Sequence, residues 1–362
     1  MMTRKLAESR IILVRCPNWV GDIVMATPAF DCLRENFAKA KIIAVLKRNA
    51  RGIVKDGPWF DGLIDCEDKS LSGLRRMRAE IRQWKPDVAI VFPNSIRSAL
   101  TVRLSGVREI YGYRRNFRGF LLSGGPKPIR SGHQVLPIPT TEYYLGICRW
   151  LGLKIPDQIK PRLFIGEKVR RHADSLIQKY GIRNQDLVIG FNPGASFGSS
   201  KRWPSEYFAE LAGFCQDNLG ARILLFGGPG EEDIARDIVR RSHANIINTV
   251  PDQVDLELLK PLIQRCNLLV TNDTGPRHYA VALDVPVVVI MGPIDPRLTD
   301  SNLERTIIIR KNLDCSPCHK KVCPREHECM RQITPKEVFA AVEDLLKTNR
   351  QYGPFSISKK MA

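Results

Sequence analysis

The sequence predicts an α/β protein of two doubly wound, Rossmann-like domains. Short β-branched runs alternate with amphipathic stretches along the whole chain, the pattern of βα units feeding a parallel sheet. The alternation stops at a proline-bearing stretch near the middle and then restarts. The 362 residues, 43% of them apolar, are too many for one core and enough for two. Both halves open with a strand, a glycine-bearing turn and a helix, although no residue-level repeat relates them.

In the first half, strands are expected at Ile11–Arg15, Lys41–Leu46, Gly62–Cys66 and Asp87–Phe92, with helices at Ile23–Asn36, Leu71–Trp84 and Thr141–Leu151. Residues 123–139, rich in Gly, Pro and Ser, read as an irregular loop. Gly152 to Pro161 carries two prolines and reads as a linker. Beyond it, strands are expected at Asp186–Asn192, Ala221–Phe226, Leu268–Thr271, Val285–Met291 and Thr306–Arg310. The intervening helices are placed at Glu167–Tyr180, Pro204–Leu219, Glu231–Arg241, Leu256–Cys266 and Gly275–Leu283. The expected division is 1–160 and 161–334, then a helix over 335–348, with an apolar stripe at Val338, Phe339, Val342, Leu345 and Leu346, expected to pack back on the first domain. A polar tail over 349–362 completes it.

Residues 1–165 hold 29 Lys and Arg against 14 Asp and Glu, a net of +15, which leaves +3 of the total +18 for the remainder. Such an offset creates a field that attracts an anionic partner: a phosphorylated substrate, an anionic lipid surface or nucleic acid. A solubilising surface is the plainer explanation for any single basic run. The first apolar stretch, Ile11 to Val14, is followed by Arg15 rather than a cleavage site, and no run approaches the roughly 18 apolar residues that a membrane span needs. Most of the ten cysteines sit singly in apolar stretches, as reduced thiols do. These features place the protein in the cytoplasm, with room for peripheral contact with a membrane face.

Four stretches carry residue types suited to chemistry. Asn18-Trp19-Val20-Gly21-Asp22 joins the first strand to the first helix, at the strand end where open α/β sheets bind ligands. There Asp22 is either a helix cap or an ionised carboxylate able to accept a proton. Asn192-Pro193-Gly194 through Ser199-Ser200-Lys201-Arg202-Trp203-Pro204 lacks the closing triplet of a Walker loop. Its hydroxyls, amides and cations suit a phosphate, and equally an ordinary flexible loop. Glu231, after Gly227-Gly228-Pro229-Gly230, stands where nucleotide folds place a ribose-binding acid, or is a favourable first-turn acid. Asp273-Thr274-Gly275 opens a helix after the strand Leu268–Thr271, and its amides form an anion site. Capping explains Asp273 and Thr274, but not His278 or the second turn at Gly292-Pro293 one strand later.

These motifs in this order, the turn ending Gly21-Asp22, the Lys201-Arg202-Trp203-Pro204 run, Asp273-Thr274-Gly275 with His278, and Gly292-Pro293, resemble the ADP-heptose:lipopolysaccharide heptosyltransferases of glycosyltransferase family 9 over nearly the whole chain. Trp19-Val20-Gly21-Asp22 with Met25 and Pro28, and the cysteine segment, resemble the type II branch. The resemblance implies a GT-B fold, two Rossmann-like domains with a cleft between them, the first meeting an anionic inner-core acceptor and the second holding ADP-heptose. It implies Asp22 as general base, Lys201, Thr274 and Gly275 at the donor phosphates, Glu231 at the ribose, and Asp273 and His278 at the sugar. Arg97, Arg114 and Arg115, after strand ends, are candidates for the acceptor's carboxylates and phosphates. No Asp-x-Asp metal signature occurs, so an inverting transfer needing neither cofactor nor divalent metal is expected, with no nucleic-acid partner.

Cys315-Ser316-Pro317-Cys318, Cys323, His327 and Cys329 have spacings like a small zinc site but only one CxxC unit. A structural loop of free thiols is placed ahead of zinc, and a catalytic cysteine last. A family glycosyltransferase adding a different sugar, a sugar-nucleotide epimerase of similar architecture, and a nucleic-acid-binding module are the rival readings. The last lacks aromatic-basic interleaving or a recognition helix.

Overall fold

In a computed structural model of the chain, which describes residues 6, 8–68 and 70–351, the alternation predicted from sequence resolves into two compact units: residues 1–166 with 296–301, and residues 167–295 with 302–362. The first is built on β1 (Ile11–Arg15), β2 (Lys41–Leu46), β3 (Gly62–Asp65), β4 (Val88–Val91) and β5 (Glu109–Tyr111). All pair in parallel, in the order β3-β2-β1-β4-β5. Leu13 at the centre of β1 lies opposite Ile43 on one side and Ala89 on the other. These strands read as continuous apolar runs because helices cover both faces of the sheet.

The second unit repeats the plan with β6 (Val188–Asn192), β7 (Arg222–Leu225), β8 (Ile246–Asn248), β9 (Leu268–Asn272), β10 (Val287–Ile290) and β11 (Thr306–Ile309), again all parallel, in the order β8-β7-β6-β9-β10-β11. In both sheets the opening strand pairs with the second and the fourth. The strand order therefore reverses between β1 and β4, and between β6 and β9, and ligands bind outside the carboxyl ends of strands at such points.

The helix expected at Ile23–Asn36 is two helices, Val20–Met25 and Thr27–Asn36, meeting at Ala26, with Pro28 in the first turn of the second. Proline lacks the amide to continue a ladder and is tolerated at a helix start. The loop over 123–139 contains a two-residue hairpin, Arg130–Ser131 with Gln134–Val135. The linker is fastened to the helix Thr27–Asn36. Arg162 pairs with Asp31 at 2.5 Å and its amide donates to Thr27 Oγ1 at 3.0 Å, while the Lys154 amide donates to Asn36 at 2.9 Å. The first unit accordingly extends to Gly166, beyond the boundary expected at 160.

The C-terminal helix belongs to the second unit, whereas packing on the first was expected: Pro335–Gln351 lies against the helix Ser205–Leu219 and against β9, β10 and β11. Val338 and Val342 are fully buried in the core that also contains Trp203, Phe208, Met330 and Ile333. The stripe read from sequence is real, but it completes the sheet nearest to it in the chain. The expected tail begins inside this helix, and residues 352–362 lie outside the described residues.

Replacing Val338 or Val342 by Ala is expected to lower the stability of the second unit by about 2 kcal/mol each. Urea unfolding followed by circular dichroism reads this as a lower midpoint; an unchanged midpoint would mean the helix does not contribute to that core.

Candidate functional site

Of the candidate residues of the first unit, Asp22 follows β1 and Arg97 follows β4, the two strands flanking its reversal point, while Arg114 and Arg115 follow β5. Arg15, at the end of β1 and buried, donates to the Cys16 carbonyl at 2.5 Å and to Asn18 Oδ1 at 2.6 Å, fixing the turn into the next helix. Trp19 is the N-cap of Val20–Met25, so Asp22 stands in the first turn and is not itself the cap. The helix dipole favours a carboxylate there. Asp22 is half-buried and accepts a hydrogen bond from the Tyr144 hydroxyl on the helix Thr140–Trp150. Burial, with the Asp22 charge adding to it, pushes the Tyr144 pKa well above the ordinary phenol value, which keeps the hydroxyl a donor. Phe92 meets the Tyr144 ring edge-on at 5.3 Å, and Phe30 meets Phe92 at 5.6 Å.

After β4, Tyr143 donates to Asn94 Oδ1 at 3.0 Å, stacks on Tyr113 at 3.8 Å, and accepts a hydrogen bond from Arg115. Arg97, in the first turn of the helix Ile96–Leu104, and Arg114 are exposed. The cation that shapes this region was not singled out from sequence. Arg118 is fully buried, with Nε on the Tyr113 carbonyl at 2.9 Å, Nη2 on the Val91 carbonyl at 3.3 Å and Nη1 on the Pro93 carbonyl. Burial pulls its pKa down to about 10, so it remains charged at neutral pH.

In the second unit the loops after β6 and β9 are cross-linked by side-chain amides. Asn192 donates to Thr271 and Thr274, both at 3.2 Å; Asn272 donates to the Pro193 carbonyl at 2.6 Å and accepts from the Trp203 amide at 3.2 Å. This brings Lys201 to Asp273. The ammonium lies 2.8 Å from Oδ2 and 2.7 Å from the backbone carbonyl of Asp273, while Arg277 reaches Oδ1 at 2.9 Å. Burial alone would raise the Asp273 pKa, but Lys201 and Arg277 outweigh it and hold the carboxyl down at about 2. Both carboxylate oxygens of Asp273 are thus engaged by cations, Oδ2 by Lys201 and Oδ1 by Arg277.

Thr274 is the N-cap of Gly275–Ala282, yet its side chain caps no amide. The first-turn amides, starting at Gly275, are thus left without a side-chain cap, and a helix start of this kind is able to accept an anion. His278 lies in the same helix; burial and the nearby Arg277 lower its pKa to about 3, so the ring is neutral at physiological pH. Glu231 precedes the helix Glu232–Arg241 and accepts from the Gly228 amide at 2.8 Å. Its carboxylate occupies the space over Gly194, where an added Cβ would stand 2.0 Å from Oε2, so the glycine is what lets this acid reach the loop after β6. The structure thus gathers Lys201, Asp273, Thr274, Gly275 and His278 around one helix start, with Glu231 on the loop that leads to Lys201.

Comparison with known proteins assigns the architecture. The sequence profile of glycosyltransferase family 9 (heptosyltransferase) matches residues 74–328. The chain belongs to this family. Among curated relatives, lipooligosaccharide heptosyltransferase 2 of Campylobacter jejuni is 29% identical over 346 residues, covering 93% of this chain and 99% of the relative. Lipopolysaccharide heptosyltransferase 2 of Escherichia coli K12 is 26% identical, covering 92% and 98%. Among solved structures, the E. coli ADP-heptose LPS heptosyltransferase II superposes with a TM-score of 0.76 at 26% identity, covering 94% of this chain and 99% of that one. A family 9 glycosyltransferase from Veillonella parvula gives 0.79 at 25%, covering 94% and 97%. The protein is a family 9 glycosyltransferase with a GT-B fold of two Rossmann-like domains.

In this family 9 chain the cysteine segment acts as a clasp on the second unit's loops. The Ser200 amide donates to the Lys321 carbonyl at 3.1 Å, Ser200 Oγ to the Lys320 carbonyl at 2.5 Å, and the His327 ring to the Ser200 carbonyl at 2.7 Å. On the other side Ser316 donates to the Gly292 carbonyl at 3.0 Å and the His319 amide to the Pro293 carbonyl at 2.9 Å. Lys201 is thus held from both directions, by Asp273 and through its neighbour Ser200. Cys315, Cys318, Cys323 and Cys329 are free thiols that line one cavity, and among the described residues no group of three or more His, Cys, Asp or Glu is arranged to hold a metal ion. Also among the described residues, no helix is long and apolar enough to cross a membrane.

Sequence reasoning gave no role to Tyr144, Arg118 or Asn272, and placed Asn192 only within a loop; the partners of Tyr144, Asn192 and Asn272 lie far off in the chain. Arg277 was within reach, since it stands four residues after Asp273 on a helix.

Two predictions follow from the ion cluster. Asp273→Asn leaves two buried cations short of their anion and is expected to cost about 3–5 kcal/mol, read as a lower urea midpoint. His278 binds its proton in the unfolded chain near pH 6.5 but in the folded one only near 3. Stability should therefore fall as pH drops below about 6.5. His278→Asn should flatten that slope between roughly pH 6.5 and 4; a slope equal to wild type would remove His278 as its source.

Proposed function

We propose that the protein transfers heptose from ADP-L-glycero-D-manno-heptose to the inner core of lipopolysaccharide, as a heptosyltransferase II, with inversion at the anomeric carbon and no requirement for a divalent metal. The observation that carries this reading is the fixed cation cluster of Lys201 and Arg277 on Asp273, beside the uncapped helix start at Thr274-Gly275. The names of the relatives, heptosyltransferases acting on lipopolysaccharide or lipooligosaccharide, supply the substrate class.

In this scheme the acceptor hydroxyl attacks the anomeric carbon. Its O–H bond breaks, the proton passes to Asp22, a C–O bond forms, and the bond from the anomeric carbon to the diphosphate oxygen breaks with both electrons leaving on ADP. A positioned base contributes about 10²–10⁴-fold. Tyr144 holds the carboxylate by its hydroxyl. Lys201, Thr274 and the Gly275 amide take up the charge that grows on the departing diphosphate, a stabilisation often larger than that of the base. Cations built into the chain supply what a divalent ion supplies elsewhere. Glu231 receives the ribose hydroxyls. Asp273, whose oxygens are oriented by Lys201 and Arg277, and the neutral His278 meet the sugar. Arg97, Arg114 and Arg115 receive the acceptor's carboxylates and phosphates. The transfer takes place in the cytoplasm, at the membrane face that carries the acceptor.

The test is turnover of ADP-heptose with a defined inner-core acceptor. Asp22→Asn is expected to lose at least about 10²-fold in kcat while its calorimetric affinity for ADP stays near wild type. Lys201→Ala should weaken ADP binding about tenfold or more, and excess EDTA should leave wild-type turnover unchanged. Full turnover by Asp22→Asn would remove that residue from the mechanism, and loss of activity in EDTA would refute metal independence.

A further inference from the structure

We infer that the face formed by the helix Ile96–Leu104 and the turn Arg118–Leu121 docks on an anionic lipid bilayer. The helix is amphipathic in the wrong sense for a protein interior. Ser98, Ala99, Thr101 and Val102 point inward and are buried, while Ile96, Leu100 and Leu104 are 44%, 40% and 43% exposed. Residues spaced by four share one helix face, so these aliphatic side chains form an outward stripe. Packing does not require this, because the stripe covers no core.

The turn packed against this helix repeats the pattern. Phe117 is 94% exposed and Phe120 74%, whereas Arg118 and Leu121 are buried. Phe117 is the residue that enters the turn and Phe120 lies within it, so both exposed rings belong to the same short segment. The backbone is strained to hold them there: Asn116 and Phe117 both adopt left-handed conformations, φ 55° and 58°. Such a conformation is unfavourable for a bulky residue and persists only where the surroundings impose it. The next residue, Arg118, is anchored, with its guanidinium fixed on the carbonyls of Tyr113, Pro93 and Val91.

The charge around the patch selects the partner. Between Val88 and Thr141 the chain has eight Lys and Arg and a single acid, Glu109. Arg97, Arg103, Arg108 and Arg114 are exposed among them. An apolar stripe ringed by cations matches the interface of an anionic bilayer, where aliphatic and aromatic side chains enter the acyl boundary and basic ones meet the headgroups. Nucleic acid would use the cations and stack on the rings, but has no use for Ile96, Leu100 and Leu104. The inference concerns the first unit alone and does not rest on the donor chemistry of the second.

Flotation of the full-length protein with vesicles tests it. Recovery is expected with phosphatidylglycerol–phosphatidylethanolamine vesicles, little with phosphatidylcholine alone, and release from the former at about 0.5 M salt. Phe117→Ser with Phe120→Ser, and separately Leu100→Ser with Leu104→Ser, should each lower the vesicle partition coefficient about tenfold or more, with ADP affinity unchanged as a check on folding. Equal recovery on neutral and anionic vesicles, or variants that float like wild type, would overturn the proposal. So would sedimentation of the wild type as a dimer that the Phe variants dissociate without vesicle binding, or tight salt-sensitive binding of an oligonucleotide in place of vesicles.

Discussion

The buried ion cluster of Lys201, Asp273 and Arg277 is the constraint on which the second unit's site depends. Taking three charges out of water is costly, and only close pairing on both carboxylate oxygens offsets it. That pairing exists because β6 and β9 are neighbours, so the loops leaving them can be tied together. The amides of Asn192 and Asn272 complete the tie by serving backbone and hydroxyl groups that would otherwise be buried unpaired. The loop after β6 is thereby fixed to the end of β9, which holds the Lys201 ammonium in one place.

The two units solve one architectural problem with different chemistry. Each presents the carboxyl ends of the two strands flanking a reversal of order. The second fixes its loops with ions. The first does so with aromatic rings and a buried guanidinium: Tyr143 on Tyr113, Phe92 on Tyr144, and Arg118 on three backbone carbonyls. Neutral carbonyls satisfy the Arg118 hydrogen bonds without cancelling its charge, so this region stays positive in keeping with the basic first half of the chain.

The strands were legible because a parallel strand covered on both faces is an unbroken apolar run, as in Ile11–Arg15 and Val287–Ile290. The strands Glu109–Tyr111 and Ile246–Asn248 escaped notice, since three residues carry no periodicity. The helix Ile96–Leu104 was missed because its apolar stripe faces outward and its buried face is built of Ser, Ala, Thr and Val. Asp22, Lys201 and Asp273 could be picked out only through the order of motifs that resembles the heptosyltransferase family, since each alone is as well explained by a helix cap or a loop. The partners that hold them, Tyr144 for Asp22 and Asn192 for Thr274, meet only through the tertiary fold, and no local pattern announces them. The stripe of the last helix was plain in the sequence, whereas the sheet it covers was not, since an apolar face does not name its counterpart.

Each unit owns a complete sheet and a core that closes without residues of the other's sheet. A chain organised in this way is open to piecemeal inheritance. Substitutions in the loops after β1 and β4 leave the ties of the ion cluster in place, since Asn192, Asn272, Trp203, Lys201, Asp273 and Arg277 all belong to the second unit.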